Sequence, residues 1–299
     1  MNPAPSSTYF TAPPHWEWLI VVYFFLGGLA GGCYFLAVLI DLFGSAEDRP
    51  LARLGYYLAF PLVVICGLLL VVDLSRPLRF WHMMIERNTL GPMFKYWSPM
   101  SIGSWALLVF GFFAFVSFVV ALADDDRFPA ARRLRIGSML RRAIAVVGGL
   151  FGFYISGYTG VLLAVTNRPI WSDTPLLGML FTVSAASTSA ALLILLAHRY
   201  GWITPAVAGL HRMDAWMLVL ELIVLAAVVV SLGPVVDAWL NAWGALLLIG
   251  VVIVGLLVPL ALTWRPQLIR GSTAVARSVL VLIGGFLLRV VIVLSSESV

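Results

Sequence analysis

The polar residues of this chain are few, and they gather. Tyr23 stands in VVYFFLGGLAGG, Tyr154 and Tyr158 lie one helical turn apart in FYISGYTG, Asp73, Arg76, Arg79 and His82 share DLSRPLRFWHMM, and Asn167, Arg168 and Asp173 share TNRPIWSD. A phenol among apolar residues needs a hydrogen-bond partner, and the carbonyl of a ligand is one candidate beside ordinary packing. A carboxylate or imidazole at the edge of such a run can carry protons. Charges next to hydrocarbon persist when they are paired or line a wet cavity. Asp73 with Arg168, or Asp173 with Arg76, are therefore expected pairs; they either hold loops together or frame a headgroup site and a docking surface. Glu221 and Arg289 fall inside apolar runs and Asp41 near the end of one. They read as ion-pair partners or as a proton path.

The elements that must position these residues follow from composition. The 299 residues are 62% hydrophobic and 11% charged, with a mean hydropathy of +1.01, which is the composition of an all-α integral membrane protein and excludes a soluble domain. Crossing about 30 Å of hydrocarbon takes roughly 20 helical residues. Runs of that length fall at about 18–43, 52–72, 100–123, 142–166, 175–197, 214–233, 238–262 and 277–295. They predict one polytopic domain, 1–299, of eight transmembrane helices, expected as two four-helix bundles. The opening MNPAPSSTYFTAPPHWEW lacks the basic start and small-residue cleavage site of a signal peptide, so the first run is expected to stay in the protein.

Orientation follows from Lys and Arg. The odd-numbered connections hold Arg49 and Arg53, then Arg127, Arg132, Arg133, Arg135, Arg141 and Arg142, then Arg199 and Arg212, then Arg265, Arg270 and Arg277, thirteen in all. The opposite side holds Arg76, Arg79, Arg87, Lys95 and Arg168. That asymmetry places both termini and the even-numbered connections on the outer side of the membrane. The net charge of +5 is thus a topology signal and no footprint of nucleic acid. The second connection is long and amphipathic, with RFWHMM suited to the interface.

Haem between facing helices would need mid-span histidines, and His15, His82, His198 and His211 all sit at helix ends or in connections. Cys33 and Cys66 are too few for an iron–sulfur or zinc cage, so no metal site is expected. Gly27 with Gly31, Gly28 with Gly32, and the series Gly148, Gly149, Gly152, Gly157 and Gly160 predict close helix approach. Tyr23 and Tyr158 lie about six and eight residues in from the outer ends of their helices, roughly 9 to 12 Å deep. The run Asp124 to Asp126 reads as a solvated loop.

Taken in order, YFFLGGLAGGCYF, DLSRPLRFWHM, SPMSIGSWAL, YTGVLLAVTNRPIWSDTPLLGMLF and GGFLLRVVIV resemble the polysulfide reductase membrane subunit family, also called NrfD or PsrC, across essentially the whole chain. The resemblance implies a haem-free subunit of a bacterial or archaeal cytoplasmic membrane, itself without an iron–sulfur cluster. It would exchange electrons between a quinone pool, menaquinone or ubiquinone, and an extracytoplasmic iron–sulfur subunit of the four-cluster ferredoxin type. That partner connects to a molybdenum or tungsten bis-pterin catalytic subunit, or in some relatives to a multihaem cytochrome. By this analogy Tyr23, Tyr158, Asp73 and His82 serve the quinone headgroup, the last two carrying protons, and Tyr154 and Asn167 join the expected quinone site by their position beside them. Arg76, Arg79, Arg168 and Asp173 would dock the partner, and Asp41, Glu221 and Arg289 would form a proton path. Two rival readings remain open at this stage: a secondary transporter using Glu221 and Arg289, and a structural anchor that never touches quinone.

Overall fold

The computed structural model describes residues 16–74, 76–125, 137–264 and 273–298. Eight helices are long and apolar enough to cross a membrane. They are α1 (Trp18–Phe43), α2 (Arg49–Asp73), α3 (Pro99–Asp124), α4 (Ser138–Ala164), α5 (Leu177–Arg199), α6 (Pro205–Ser231), α7 (Ala242–Trp264) and α8 (Thr273–Leu294). No strand forms among the described residues; an isolated bridge joins Ile85 to Pro92 in the α2–α3 connection. The outward faces stay apolar, with Leu68, Phe112, Leu150, Val230 and Ile249 all exposed. An aqueous protein rarely leaves so much uncovered hydrocarbon, and the chain is a multi-pass membrane protein.

Helix starts follow local chemistry. Ser98 caps α3 by accepting the Ser101 N–H at 3.4 Å, with Pro99 as the first helical residue. Pro205 opens α6 directly after Thr204. The α1–α2 turn closes on Asp48, whose carboxylate accepts the Ser45 N–H and, at the start of α6, the Ala206 N–H, each at 2.9 Å. At the end of α5, Gly201 adopts φ +70° while the Trp202 N–H returns to the Ala197 carbonyl, a left-handed stop that suits glycine.

Two boundaries differ from the sequence expectation enough to matter. α6 begins nine residues before the expected 214, because His211, Arg212 and Asp214 lower the hydropathy of turns that are helical all the same. α8 begins at Thr273, ahead of the expected 277, so Arg277 is a helix residue and not part of a connection. His15, Asp126 and the arginines at 127, 132, 133, 135, 265 and 270 lie outside the described residues.

α1 to α4 pack in sequence around a ring, and α5, α6, α7 and α8 form a second set. The halves are not independent: α1 packs on α4, α5 and α8 as well as α2, so the two expected bundles share a continuous seam. Small residues make that seam possible. Across it a side chain at Gly32 would collide with Ser189 of α5; within the halves, one at Gly31 would meet the Gly152 carbonyl of α4 and one at Gly255 would meet Gly284 of α8. α7 is unusual: Leu246–Leu257 is a π-helix flanked by α turns, and it ends next to Pro259, which has no N–H to continue the pattern.

The end of the molecule where α1 starts and α8 finishes is the terminal face. The opposite end is the distal face.

Candidate functional site

At the terminal face, Tyr23 of α1 is buried, with its Cε2 3.8 Å and the Cys66 Sγ 3.9 Å from where a Gly27 Cβ would lie. Its backbone carbonyl accepts the Cys66 thiol at 3.8 Å. Tyr158 of α4 belongs to the same neighbourhood and interacts electrostatically with Tyr23. The two phenols differ in one respect that the sequence did not reveal. The Tyr158 hydroxyl donates to the Pro99 carbonyl at 2.8 Å, and its ring fills the space that a side chain at Gly103 would take. The Tyr23 hydroxyl meets no hydrogen-bond partner among the described residues. Tyr154 stacks on Tyr158 at 5.7 Å but is 41% exposed, facing the bilayer side of α4.

Further polar groups at this end lack protein partners. The His82 Nε2 and the Thr159 Oγ1 are both buried with none among the described residues. His82 lies in a 3-10 helix, Pro77–Met83, and its ring sits 3.8 Å from that of Trp81. Buried polar atoms are almost always bonded, so this end of the molecule holds several groups suited to a polar ligand. Thr159 was not among the expected site residues; its position next to Tyr158 was the available signal.

Asp73, at the end of α2, and Glu17, directly before α1, interact electrostatically. Among the described residues Asp73 forms no ion pair with Arg168, nor Asp173 with Arg76, so neither expected pair forms. Of the residues expected to dock a partner, Arg76, Arg79 and Asp173 are exposed, as is Asn167. Arg168 is 7% exposed and donates to the Ser296 carbonyl at 3.2 Å. Its surroundings form a clasp. Trp171 donates to the Ile292 carbonyl at 2.7 Å and stacks on Trp16, the Asp173 carboxylate accepts the N–H of Ile170, which adopts φ +71°, and Thr174 bonds Ser231 at 2.7 Å. The polar residues of TNRPIWSDT thus tie the α4–α5 connection to α1, α6 and α8.

The second polar concentration runs through α5, α6 and α8. Asp214 and Arg277 form an ion pair, accompanied by Ser187 donating to Asp214 at 2.9 Å and by His211 Nδ1 at 2.9 Å from Arg277. Seven residues further along α6, Glu221 faces Ser184 and Arg289. Arg289 donates to Ser184 at 2.6 Å and to the Gly285 carbonyl at 2.8 Å. Asp214 and Arg277 were both missed, though the seven-residue spacing from Asp214 to Glu221 puts the two acids on one helix face.

A third cluster occupies the distal face. Arg141 bridges Asp41 at 3.1 Å and Asp124 at 2.7 Å, while Arg53 pairs with Asp125, which also accepts the Tyr57 hydroxyl at 2.7 Å. The acid run is therefore not a solvated loop at Asp124 and Asp125: its side chains are engaged by basic residues of α2 and α4. Among the described residues no group of three or more His, Cys, Asp or Glu side chains is placed to hold a metal.

A family model described as "Polysulphide reductase, NrfD" matches residues 8–299. The chain belongs to this family. The NrfD-family chain is 31% identical over 271 residues to a polysulfide reductase chain of Wolinella succinogenes, covering 83% of this protein and 82% of that one. It is 25% identical over 283 residues to Protein NrfD of Escherichia coli, covering 86% of each. A shorter stretch of 98 residues, 32% of this protein and 20% of the relative, is 31% identical to a selenate reductase subunit of Mesobacillus selenatarsenatis. Two of these relatives are thus named as parts of reductases. The eight crossing helices of this NrfD-family chain and the match along almost its whole length agree with the resemblance carried by its motifs.

Proposed function

We propose that the chain is the quinone-reactive membrane subunit of a respiratory reductase complex, with the terminal face outside and the quinone headgroup bound there. The observation that carries this reading is Tyr23: a buried phenol with no protein acceptor among the described residues, beside Tyr158, at the same end as the partnerless His82 and Thr159. A quinone carbonyl would accept from Tyr23. Tyr158, already engaged by Pro99, would shape the wall, and the exposed Tyr154 ring would flank the approach from lipid. Reduction takes up two electrons and two protons; oxidation releases them. Asp73 and His82 would exchange the protons with water. The electrons would pass to or from an extracytoplasmic iron–sulfur subunit seated on the exposed α2–α3 connection, where Arg76, Arg79 and the apolar Leu78, Phe94, Tyr96 and Trp97 are uncovered. A molybdenum or tungsten bis-pterin subunit or a multihaem cytochrome would lie beyond it.

The test is to purify the complex from membranes, extract and identify bound quinone, and measure quinol-linked turnover in Tyr23→Phe. Bound quinone and a large loss of turnover support the reading. Full turnover in Tyr23→Phe, Asp73→Asn and His82→Ala together would leave a structural anchor, and substrate uptake by the chain without a redox partner would leave a transporter.

A further inference from the structure

The distal cluster contains a built site that the quinone reading does not use. A cavity of about 20 Å³ lies between α1, α2, α3 and α4, lined by Asp41, Arg53, Tyr56, Ser117, Asp124 and Arg141 among others. That volume accommodates one water, which needs roughly 10 to 15 Å³ of free space and two to four polar partners. Tyr56 is 5% exposed, and its hydroxyl has no partner among the described residues. The remaining polar walls are satisfied: Arg141 holds Asp41 and Asp124, and Ser117 is 2.6 Å from the Tyr34 hydroxyl. Tyr34 and Tyr56 meet edge to face at 5.2 Å. Polar groups therefore run inward from the rim to a hydroxyl pair about two turns deeper, with one water-sized space at the step between them.

We propose that this cavity binds a water molecule and forms the mouth of a proton inlet from the distal face into the α1–α4 half. Asp41 and Asp124 collect protons at the rim. The water accepts from or donates to the Tyr56 hydroxyl, and Ser117 passes the hydrogen-bonded chain to Tyr34. Tyr34 lies eleven residues along α1 from Tyr23, roughly 16 Å, so the inlet brings protons to about mid-membrane on the helix that carries the quinone-facing phenol. The site itself stands on its geometry; its use in proton exchange rests on the quinone reading.

Two measurements on the intact complex separate these. Under microsecond X-ray radiolysis, hydroxyl radicals formed from bound water oxidise the side chain beside it. Tyr56, hydroxylated at a ring C–H, is expected to be oxidised about tenfold faster than the fully buried Phe110 next to Tyr34. Equal, slow labelling of Tyr56 and Phe110 would overturn the site, whatever quinone does. In vesicles whose lumen meets the distal face, a trapped pH dye should report proton exchange during quinol turnover that falls about tenfold in Tyr56→Phe and in Asp41→Asn. Unchanged exchange in both would overturn the inlet. Absence of quinol turnover in the unmodified complex would sink the quinone reading and leave the labelling contrast to decide the site.

Discussion

Asp214 and Arg277 meet at 2.6 Å between α6 and α8, with 1% and 5% of their side chains exposed. Removing one partner from a buried pair strands the other charge, at a cost of about 3–5 kcal/mol. Asp214→Ala should therefore lower the unfolding midpoint sharply and reduce the amount of protein recovered from membranes. The paired change Asp214→Leu with Arg277→Met should recover most of that loss, because apolar residues of similar volume replace a buried ion pair at little cost. A single variant as stable as the parent would show that the pair contributes nothing.

Tyr23 and Tyr158 should separate experimentally although they share a neighbourhood. On the proposed quinone reading Tyr23→Phe removes the donor to the headgroup, so quinol turnover at limiting substrate should fall about tenfold, the equivalent of about 1.4 kcal/mol, with thermal stability unchanged. Tyr158→Phe removes the bond to the Pro99 carbonyl. It should cost about 1 kcal/mol of stability and leave more of the turnover intact. Kinetics and melting curves on the same preparations check both halves.

Glycine substitutions should rank by what surrounds them. Gly67 has nothing within 4 Å of an added Cβ, whereas at Gly103 the added atom meets the Tyr158 ring and at Gly31 it meets the Gly152 backbone. Gly67→Ala should be neutral or slightly stabilising. Gly103→Ala and Gly31→Ala should each cost about 1–3 kcal/mol through overpacking, and the first should also disturb turnover by moving Tyr158. Melting temperatures of the three variants decide the order.

Arginines at the terminal face should divide into two kinds. Arg76→Ala with Arg79→Ala alters an exposed surface and should release the proposed iron–sulfur partner while leaving the helices inserted and stable. Arg168→Ala cuts the tie to the Ser296 carbonyl and should lower stability whether or not the partner is present. Partner retention in washed membranes, compared with melting of the isolated subunit, tests the division.

The sequence made the eight crossings plain because each requires an uninterrupted apolar run, and hydropathy reads such runs directly. It hid the first turns of α6 and α8, where His211, Asp214 and Arg277 look like a solvated connection until their partners are known. Arg168 shows the same difficulty. Charge and position near a helix end suggested a surface, but its carbonyl acceptor lies 128 residues away, and one-dimensional spacing carries no trace of that contact. Tyr23, Tyr154 and Tyr158 were legible as a group through depth and helical period; which hydroxyl is engaged depended on Pro99 of another helix. Asp41 was legible as a helix-end charge, whereas the water-sized space beside it exists only because four helices converge.

Arg289 also bears on how the protein is made. An arginine within a spanning helix resists insertion, by about 2.5–3.5 kcal/mol when central, and α8 leaves the ribosome after α5 and α6. By then α5 and α6 have already brought Ser184 and Glu221 into the bilayer, so the guanidinium meets its hydrogen-bond acceptor and countercharge on arrival. For Arg289 the order of the helices is in this sense an assembly schedule: its hydrogen-bond acceptor and its countercharge are both synthesised before it.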